Sequence, residues 1–304
     1  MYQEFFRLNE SPFGLTPDTE FFFGFHVHQE ALDTLVGALG MGEGFIKVTG
    51  EVGTGKTLVC RKLLKQLAEN DNYVTAYIPN PPQTPKALQC AFASELGVEC
   101  RDRMSAHDVM KALNEALIQF KTDGKSVVLL LDEAQALPED CLETIRLLSN
   151  LETEKSKLLS VILFGQPELD VKLAKPSIRQ LKQRITFSHN LAPMTVDATL
   201  AYLNHRMTVA GYVGEPLFSA QHAKLLHKLS GGIPRLINIL AHKTLLLAYG
   251  VGSTSLKTSF VKRAGLDTES AMHPGLGLGW QSVALVTLIS LVLIATWLAQ
   301  GVGG

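Results

Sequence analysis

The sequence predicts an α/β fold with a five-stranded parallel sheet, followed by a small all-helical domain and a C-terminal transmembrane helix. Three observations support this prediction. Runs of β-forming residues alternate with stretches of helical periodicity as far as residue 192. No long β-forming run follows Pro193. Near the end of the chain, residues 280–298 contain no charged side chain.

Five short segments have the composition of buried strands. The third, "SVVLLLDE", is a continuous apolar run, as expected of a strand that is covered on both faces of a parallel sheet. Stretches with apolar residues at helical spacing alternate with these segments, and we expect them to pack on both faces. The predicted strands are 45–49, 73–78, 126–133, 158–165 and 185–190, and the predicted helices lie at about 28–39, 56–68, 85–97, 106–121 and 139–151.

From Pro193 onward the sequence predicts helices alone, at about 196–210, 219–229 and 235–249. The stretch "SGGIPR" separates the last two, because glycine and proline interrupt a helix. The chain is therefore divided into an N-terminal segment (1–44), an α/β domain (45–192), a helical lid domain (193–270), a glycine-rich linker (271–279), a transmembrane helix (280–299) and a short tail (300–304).

Residues 280–298 are long enough to cross a bilayer. At about 1.5 Å per residue they span roughly 28 Å, close to the thickness of the hydrocarbon core. Trp280 and Trp297 bracket the segment, where interfacial aromatic residues are expected. The alternative is a buried core helix. Basic residues lie between 257 and 263 and none follows the segment, which predicts a single pass through a bacterial inner membrane with the α/β domain in the cytoplasm.

The composition gives no sign of a strongly charged partner. The 28 Lys and Arg residues balance 29 Asp and Glu residues, so no net field attracts the protein to nucleic acid. The nine histidines show no metal-ligand spacing. The four cysteines form no C-x-x-C pair, and we expect free buried thiols in a reducing compartment. The N-terminus carries an early acid and no long apolar run, so no signal peptide is predicted.

One motif predicts a phosphate-binding site. The stretch "GEVGTGKT" has the pattern G-x-x-x-x-G-K-[ST] and lies between a predicted strand and a predicted helix. Its glycines let backbone N–H groups point at phosphate oxygens, and the helix N-terminus adds positive potential. We expect Lys56 to reach the β- and γ-phosphates of ATP, and Thr57 to ligate Mg²⁺. The predicted nucleotide-binding residues are Gly50, Glu51, Val52, Gly53, Thr54, Gly55, Lys56, Thr57 and Leu58, with Asp132 and Arg235.

Four polar residues elsewhere are predicted to complete this site. Asp132 lies at the C-terminal end of the third predicted strand, where its carboxylate can hold Mg²⁺, and the adjacent Glu133 can deprotonate the attacking water. Gln166 follows the fourth strand, and we expect its amide near the γ-phosphate. Arg235 begins a lid helix and can close over the γ-phosphate. The alternatives are a simple loop glutamine and a solvated arginine.

These motifs together resemble the AAA+ ATPases, which are P-loop NTPases. The closer resemblance is to the ExeA/GspA and MshM group, linked to type II secretion and to the mannose-sensitive haemagglutinin (MSHA) type IV pilus. The matching text is "FFRLNESPFGLTPDTEFFF", "GFIKVTGEVGTGKT", "LLLDEAQAL", "LFGQPEL", "LKQRI" and "SGGIPRLIN". The resemblance implies a central P-loop strand, sensor roles for Gln166 and Arg235, and an adenine-side wall formed by residues 11–28. It also implies a ring-shaped homo-oligomer in which Arg184, or Arg179 as second choice, reaches the neighbouring subunit's γ-phosphate.

The resemblance implies a membrane-tethered ATPase that supports assembly of an MSHA-like pilus or a type II secretion apparatus, with components of that machine as partners. The ExeA/GspA members carry a peptidoglycan-binding domain after the membrane helix, whereas "AQGVGG" follows here, which favours the MshM type. One alternative is a DNA-associated ATPase of the transposition-helper kind, since residues 189–270 carry eight basic and four acidic residues. Those charges are scattered, so we do not expect a nucleic-acid partner. Another is a scaffold that rarely hydrolyses ATP, against which Glu133 and Arg184 argue.

Overall fold

The fold was obtained as a computed structural model, which describes residues 2–16, 18–24, 26–101, 103–151 and 157–272. The predicted transmembrane helix at 280–299 and the tail at 300–304 lie outside the described residues, as does most of the predicted linker. Within the described ranges, none of the helices is both long enough and apolar enough to cross a membrane.

Strands and helices alternate up to residue 190, and helices alone follow, as the sequence predicts. The strands are β1 (Phe45–Thr49), β2 (Tyr73–Ile78), β3 (Ser126–Leu131), β4 (Leu159–Gly165) and β5 (Phe187–Asn190). The helices are α1 (Tyr2–Phe5), α2 (His26–Gly40), α3 (Lys56–Ala68), α4 (Pro85–Glu95), α5 (Ala106–Thr122), α6 (Glu139–Leu148), α7 (Glu168–Leu173), α8 (Arg179–Arg184), α9 (Val196–Val209), α10 (Ala220–Ser230), α11 (Pro234–Gly250) and α12 (Thr258–Leu266).

The five strands form one parallel sheet in the order β2-β3-β4-β1-β5. Strand β1 pairs with β4 on one side and with β5 on the other. The expectation that the P-loop strand is central is therefore wrong in detail. The middle position belongs to β4, because β5 is the one strand that lies beyond β1. Parallel strands all end at the same edge of the sheet, so the residues that follow β1, β3 and β4 come together there.

Apolar cores lie on both faces of the sheet. Helices α4 to α6 cover one face through residues such as Phe92, Leu113 and Ile145. Helices α2 and α3 cover the other through residues such as Leu35 and Leu63. This double coverage explains why β3 and β4 are apolar along almost their whole length.

Helices α9 to α12, called the lid below, enclose a third core. The N-terminal segment contributes to it, since Tyr2, Phe6, Phe13 and Phe21 are buried among the lid residues. Helix α1 packs on α11, where Phe5 makes an edge-on contact with Tyr249. The N-terminal segment thus joins the lid as well as the α/β domain, which α2 contacts.

The expectation of four free thiols is wrong for one pair. Cys60 and Cys141 are free and buried, whereas Cys90 and Cys100 form a disulfide with a Cα–Cα separation of 5.4 Å. The physical reason is the turn that follows α4. Gly97 adopts φ +71°, so the chain reverses after the helix and returns Cys100 to the side of Cys90.

Candidate functional site

Residues 50–57, the P-loop, form a tight turn from β1 into α3. The turn closes on itself, because the backbone N–H and the hydroxyl of Thr54 both donate to the Glu51 carbonyl, at 3.3 and 2.8 Å. Gly53 and Gly55 adopt φ +84° and +102°, a left-handed backbone that strongly favours glycine. These two glycines let the loop curl back over the start of α3.

The curl leaves several backbone donors facing a cavity. Among the described residues, no acceptor is hydrogen-bonded to the N–H groups of Gly53 or of residues 55–58. Four of these N–H groups belong to the first turn of α3 and its N-cap, where helix geometry provides no partner and the helix dipole is positive. The arrangement is suited to binding a phosphate group.

Lys56 places a cation beside these donors. Its side chain is 5% exposed, and Nζ donates to the carbonyls of Gly50 at 2.8 Å and Glu51 at 3.0 Å. Burial lowers the pKa of Lys56, and the nearby carboxylates of Glu133 and Asp132 offset part of that effect. The ammonium is thus bonded to neutral oxygens, and a phosphate oxygen in the cavity would be a stronger acceptor.

Thr57 and Asp132 form the second part of the site. The Thr57 hydroxyl donates to Asp132 Oδ2 at 2.8 Å, while Asp132 Oδ1 accepts the N–H of Glu133 at 2.9 Å. Asp132 is 3% exposed, and burial raises its pKa. A hydroxyl and a carboxylate at hydrogen-bonding distance are hard oxygen ligands of the kind that Mg²⁺ prefers, with phosphate and water completing its shell. The residues present therefore fit Mg²⁺.

Glu133 lies in a strained turn just beyond β3. It has φ +52°, which is uncommon for a residue with a side chain, and strained positions cluster at functional sites. Its carboxylate accepts hydrogen bonds from Gln166 Nε2, at 3.1 Å, and from Gln135 Nε2. Gln135 also accepts the N–H of Gln166 at 3.0 Å through its own Oε1. The two glutamines together fix the direction of the Glu133 carboxylate.

Arg235 connects the lid to the P-loop. It lies in the first turn of α11, and its backbone N–H donates to the Gly53 carbonyl at 3.2 Å. A Cβ placed on Gly53 would lie 2.7 Å from Arg235 Cβ, so the two backbones are in close contact. Arg235, which is expected to sense the γ-phosphate, thus lies against the loop that is predicted to bind the phosphates.

A cavity of about 210 Å³ brings most of the predicted residues together. Of the predicted nucleotide-binding residues, Gly50, Glu51, Thr54 and Asp132 support the wall through the hydrogen bonds given above. The predicted residues that line the cavity are Val52, Gly53, Gly55, Lys56, Thr57, Leu58, Glu133, Gln166 and Arg235.

The other end of the cavity is formed by residues that the sequence did not single out as a group. Gly14, Leu15, Thr16 and Asp18 line it, within the segment 11–28 that the resemblance assigned to the adenine side. Tyr202, Arg206 and Asn238 of the lid also line the cavity.

A buried polar network holds these two walls together. Arg206 donates to the Pro12 carbonyl through Nε and to the Tyr202 hydroxyl at 3.0 Å through Nη1. The Tyr202 hydroxyl donates to Asn238 Oδ1 at 2.8 Å, and Asn238 Nδ2 donates to the Gly14 carbonyl at 3.4 Å. The lid thereby fixes the position of the N-terminal wall.

Arg184 and Arg179 lie away from this cavity. Arg184 is exposed at the end of α8 and donates to Ser149 Oγ at 3.0 Å, in a hollow beside Phe45 at the start of β1. The P-loop follows the other end of β1, and five residues at about 3.3 Å each separate the two ends by roughly 16 Å. Arg179 is also exposed, on the preceding turn of α8. Neither arginine lines the cavity of its own chain.

Comparison with known proteins agrees with this geometry. Residues 39–173, which run from the end of α2 through α7, match the family described as AAA domain. This part of the chain is an AAA domain. Over 296 residues it is also 40% identical to "General secretion pathway protein A" of Aeromonas hydrophila, which confirms the resemblance to the ExeA/GspA group. The alignment covers 97% of this chain and 53% of that relative, so the chain spans about half the length of the secretion protein.

Two solved structures share the fold at low sequence identity. Cdc6p of Pyrobaculum aerophilum has a TM-score of 0.62 at 21% sequence identity, and the match covers 81% of this chain and 70% of the Cdc6p chain. The ORC2 protein of Aeropyrum pernix has a TM-score of 0.61 at 17% sequence identity, and the match covers 83% of this chain and 69% of the ORC2 chain. At these identities the similarity shows the fold alone, whereas the AAA domain matched at residues 39–173 supports the prediction of an ATPase.

Proposed function

We propose that this AAA protein binds ATP with Mg²⁺ in the cavity between the P-loop and the lid, and hydrolyses it. The observation that carries the proposal is the meeting of four chemical functions around one cavity. These are the free N–H groups and Lys56, the Thr57–Asp132 oxygen pair, the Glu133 carboxylate, and Arg235 of the lid.

Each group has a distinct task in this proposal. The loop N–H groups and Lys56 bind and orient the β- and γ-phosphates, while Thr57 and Asp132 hold Mg²⁺, which neutralises developing charge on the phosphates. Glu133 accepts a proton from the attacking water, and its two glutamine partners keep the carboxylate aimed at the cavity. Arg235 stabilises the phosphate charge from the lid side.

The exposed position of Arg184 supports an oligomer. A cation roughly 16 Å from its own P-loop is too far to act there, but it is free to enter the cavity of a second subunit. We propose a ring in which Arg184 serves the neighbouring site, with Arg179 as the second choice.

The relative of 40% identity supports a role in building a secretion machine. We propose that the chain is tethered to the inner membrane through residues 280–299 and uses ATP to support assembly of a type II secretion apparatus or an MSHA-like pilus.

The DNA-associated alternative is disfavoured by the placement of the basic residues in 189–270. Arg206 is buried in the lid, Lys243 is paired with Asp267, and Arg235 lines the cavity. Three of the eight basic residues therefore do not contribute to a surface that would bind phosphates of nucleic acid.

The experiment that tests hydrolysis uses Glu133→Gln. This variant keeps the size of the side chain but removes its basicity, so we expect turnover to fall by about 10²–10⁴-fold with ATP affinity retained. Glu139→Gln is the matched control, because Glu139 is on the surface, where it pairs with Lys175. Undiminished phosphate release by Glu133→Gln would refute the assigned role of Glu133.

A further inference from the structure

A buried histidine of α2 contacts the P-loop. His28 is 6% exposed, and its Nε2 lies 2.7 Å from the carbonyl oxygen of Thr54. A carbonyl oxygen can only accept, so Nε2 carries the hydrogen and donates it. The N-terminal segment thus supports the phosphate loop from α2, a helix that lies before the sheet in sequence.

The direction of this bond determines the direction of the next N–H group. In a trans peptide the C=O and the following N–H point in opposite directions, and the described chain contains no cis peptide. Because the Thr54 carbonyl points at α2, the Gly55 N–H points away from α2. Gly55 lines the cavity together with Lys56, and its N–H has no acceptor among the described residues.

The contact also accounts for the glycine at position 55. A Cβ on Gly55 would lie 2.9 Å from His28 Nε2, which is closer than van der Waals contact allows. The imidazole therefore fills the space that a side chain would need, and the left-handed φ of +102° is kept. Burial lowers the pKa of His28, so the ring is neutral near pH 7 and adds no charge beside the phosphate site.

We infer that His28 is a positioning residue, which holds the Thr54–Gly55 peptide so that the Gly55 N–H donates to a nucleotide phosphate. This inference rests on the proposed ATP site. Without the imidazole the Thr54–Gly55 peptide can rotate. Binding of the phosphate must then order the loop, which costs conformational entropy. Loss of one positioned donor to a charged oxygen weakens nucleotide binding by about tenfold.

The test compares three variants of the full chain in detergent. His28→Leu removes the donor, whereas His28→Gln places an amide Nε2–H where the imidazole N–H was. His222→Leu is the matched control, because His222 is also buried but caps α10 in the lid through Ser219. Dissociation constants for ADP and ATP are measured by calorimetry, together with KM and kcat for ATP hydrolysis and the unfolding midpoint.

We expect His28→Leu to bind ADP and ATP about tenfold more weakly, and to raise KM with kcat nearly unchanged, because the bond acts equally before and during the reaction. His28→Gln is expected to stay within about threefold of the parent, because its amide restores a hydrogen bond of ordinary net value. His222→Leu is expected to lower the unfolding midpoint without weakening ADP binding.

Two results would overturn the inference while leaving the proposed function intact. One is unchanged ADP affinity in His28→Leu. The other is an equal loss of affinity in His28→Gln or in His222→Leu, which would indicate general destabilisation. Failure of the parent protein itself to bind ADP and ATP would instead refute the proposed function, and the inference with it.

Discussion

The contact between the P-loop and the lid makes Gly53 the most informative position for a stability test. In Gly53→Ala the new methyl group would lie 2.7 Å from Arg235 Cβ and 3.1 Å from Ile233 Cγ2. Carbon atoms in contact prefer about 3.5–4.0 Å, so one side must move. Arg235 Cβ is bonded directly to the backbone of α11, and a shift there displaces the start of that helix. The hydrogen bond from the Arg235 N–H to the Gly53 carbonyl is then lost.

Two costs determine the expected magnitude. A side chain at φ +84° costs roughly 1–2 kcal/mol, and loss of the hydrogen bond adds about 0.5–1.5 kcal/mol. We therefore expect Gly53→Ala to lower the free energy of unfolding by about 1.5–3.5 kcal/mol. We also expect weaker ADP binding, because the contact holds the P-loop, whose N–H groups are expected to bind the phosphates that ADP retains.

Gly97→Ala separates backbone strain from the lid contact. Gly97 has φ +71°, but a Cβ there would have no atom within 4 Å. This control should lose about 1–2 kcal/mol and keep the ADP affinity of the parent. Urea unfolding followed by circular dichroism gives the free energies, and calorimetry gives the affinities. The reasoning is refuted if Gly53→Ala is no less stable than Gly97→Ala and binds ADP as well as the parent does.

Three further changes test other parts of the molecule. Arg184→Ala is expected to bind ATP but not hydrolyse it, and mixing it with Lys56→Ala subunits should restore activity; an inactive mixture would contradict a role across subunits. Deleting residues 280–304 should move the protein from the membrane fraction to the soluble fraction with ATP affinity unchanged, and persistence in membranes would show that the anchor lies elsewhere. Arg206→Met should lower the free energy of unfolding, measured in urea, by about 1.5–3 kcal/mol, because the Pro12 carbonyl and the Tyr202 hydroxyl lose a charged donor. An unchanged free energy of unfolding would show that this network does not stabilise the lid.

The strands were predictable because burial on two faces imposes a continuous apolar run. The bounds predicted for β1 and β2 coincide with those observed. The third strand ends two residues earlier than predicted, since Asp132 and Glu133 leave the sheet to enter the cavity edge. Helices such as α7, α8 and α12 were missed, because six to nine residues give too few turns for a periodic pattern. The order of the strands in the sheet could not be predicted, because it depends on how the connections cross between strands and local sequence patterns carry no information about that.

The phosphate end of the site was predictable because its residues lie in contiguous motifs. At the other end of the cavity, the resemblance implied the wall at residues 11–28, but no motif predicted its contact with the lid. Pro12 and Arg206 are 194 positions apart and meet only through packing of the N-terminal segment on the lid. Gln135 carries no motif of its own, and its bridging role depends on the turn beyond β3. The contact of His28 with the P-loop could not be predicted either, because its partner is a backbone carbonyl rather than a side chain.

Equilibrium binding of ATP to the purified full chain in Mg²⁺-containing buffer tests the central claim most directly. We expect saturable binding of one nucleotide per chain, and we expect Lys56→Ala to weaken it strongly, because a buried cation beside the phosphates is removed. Absence of measurable affinity for both ATP and ADP would contradict the account.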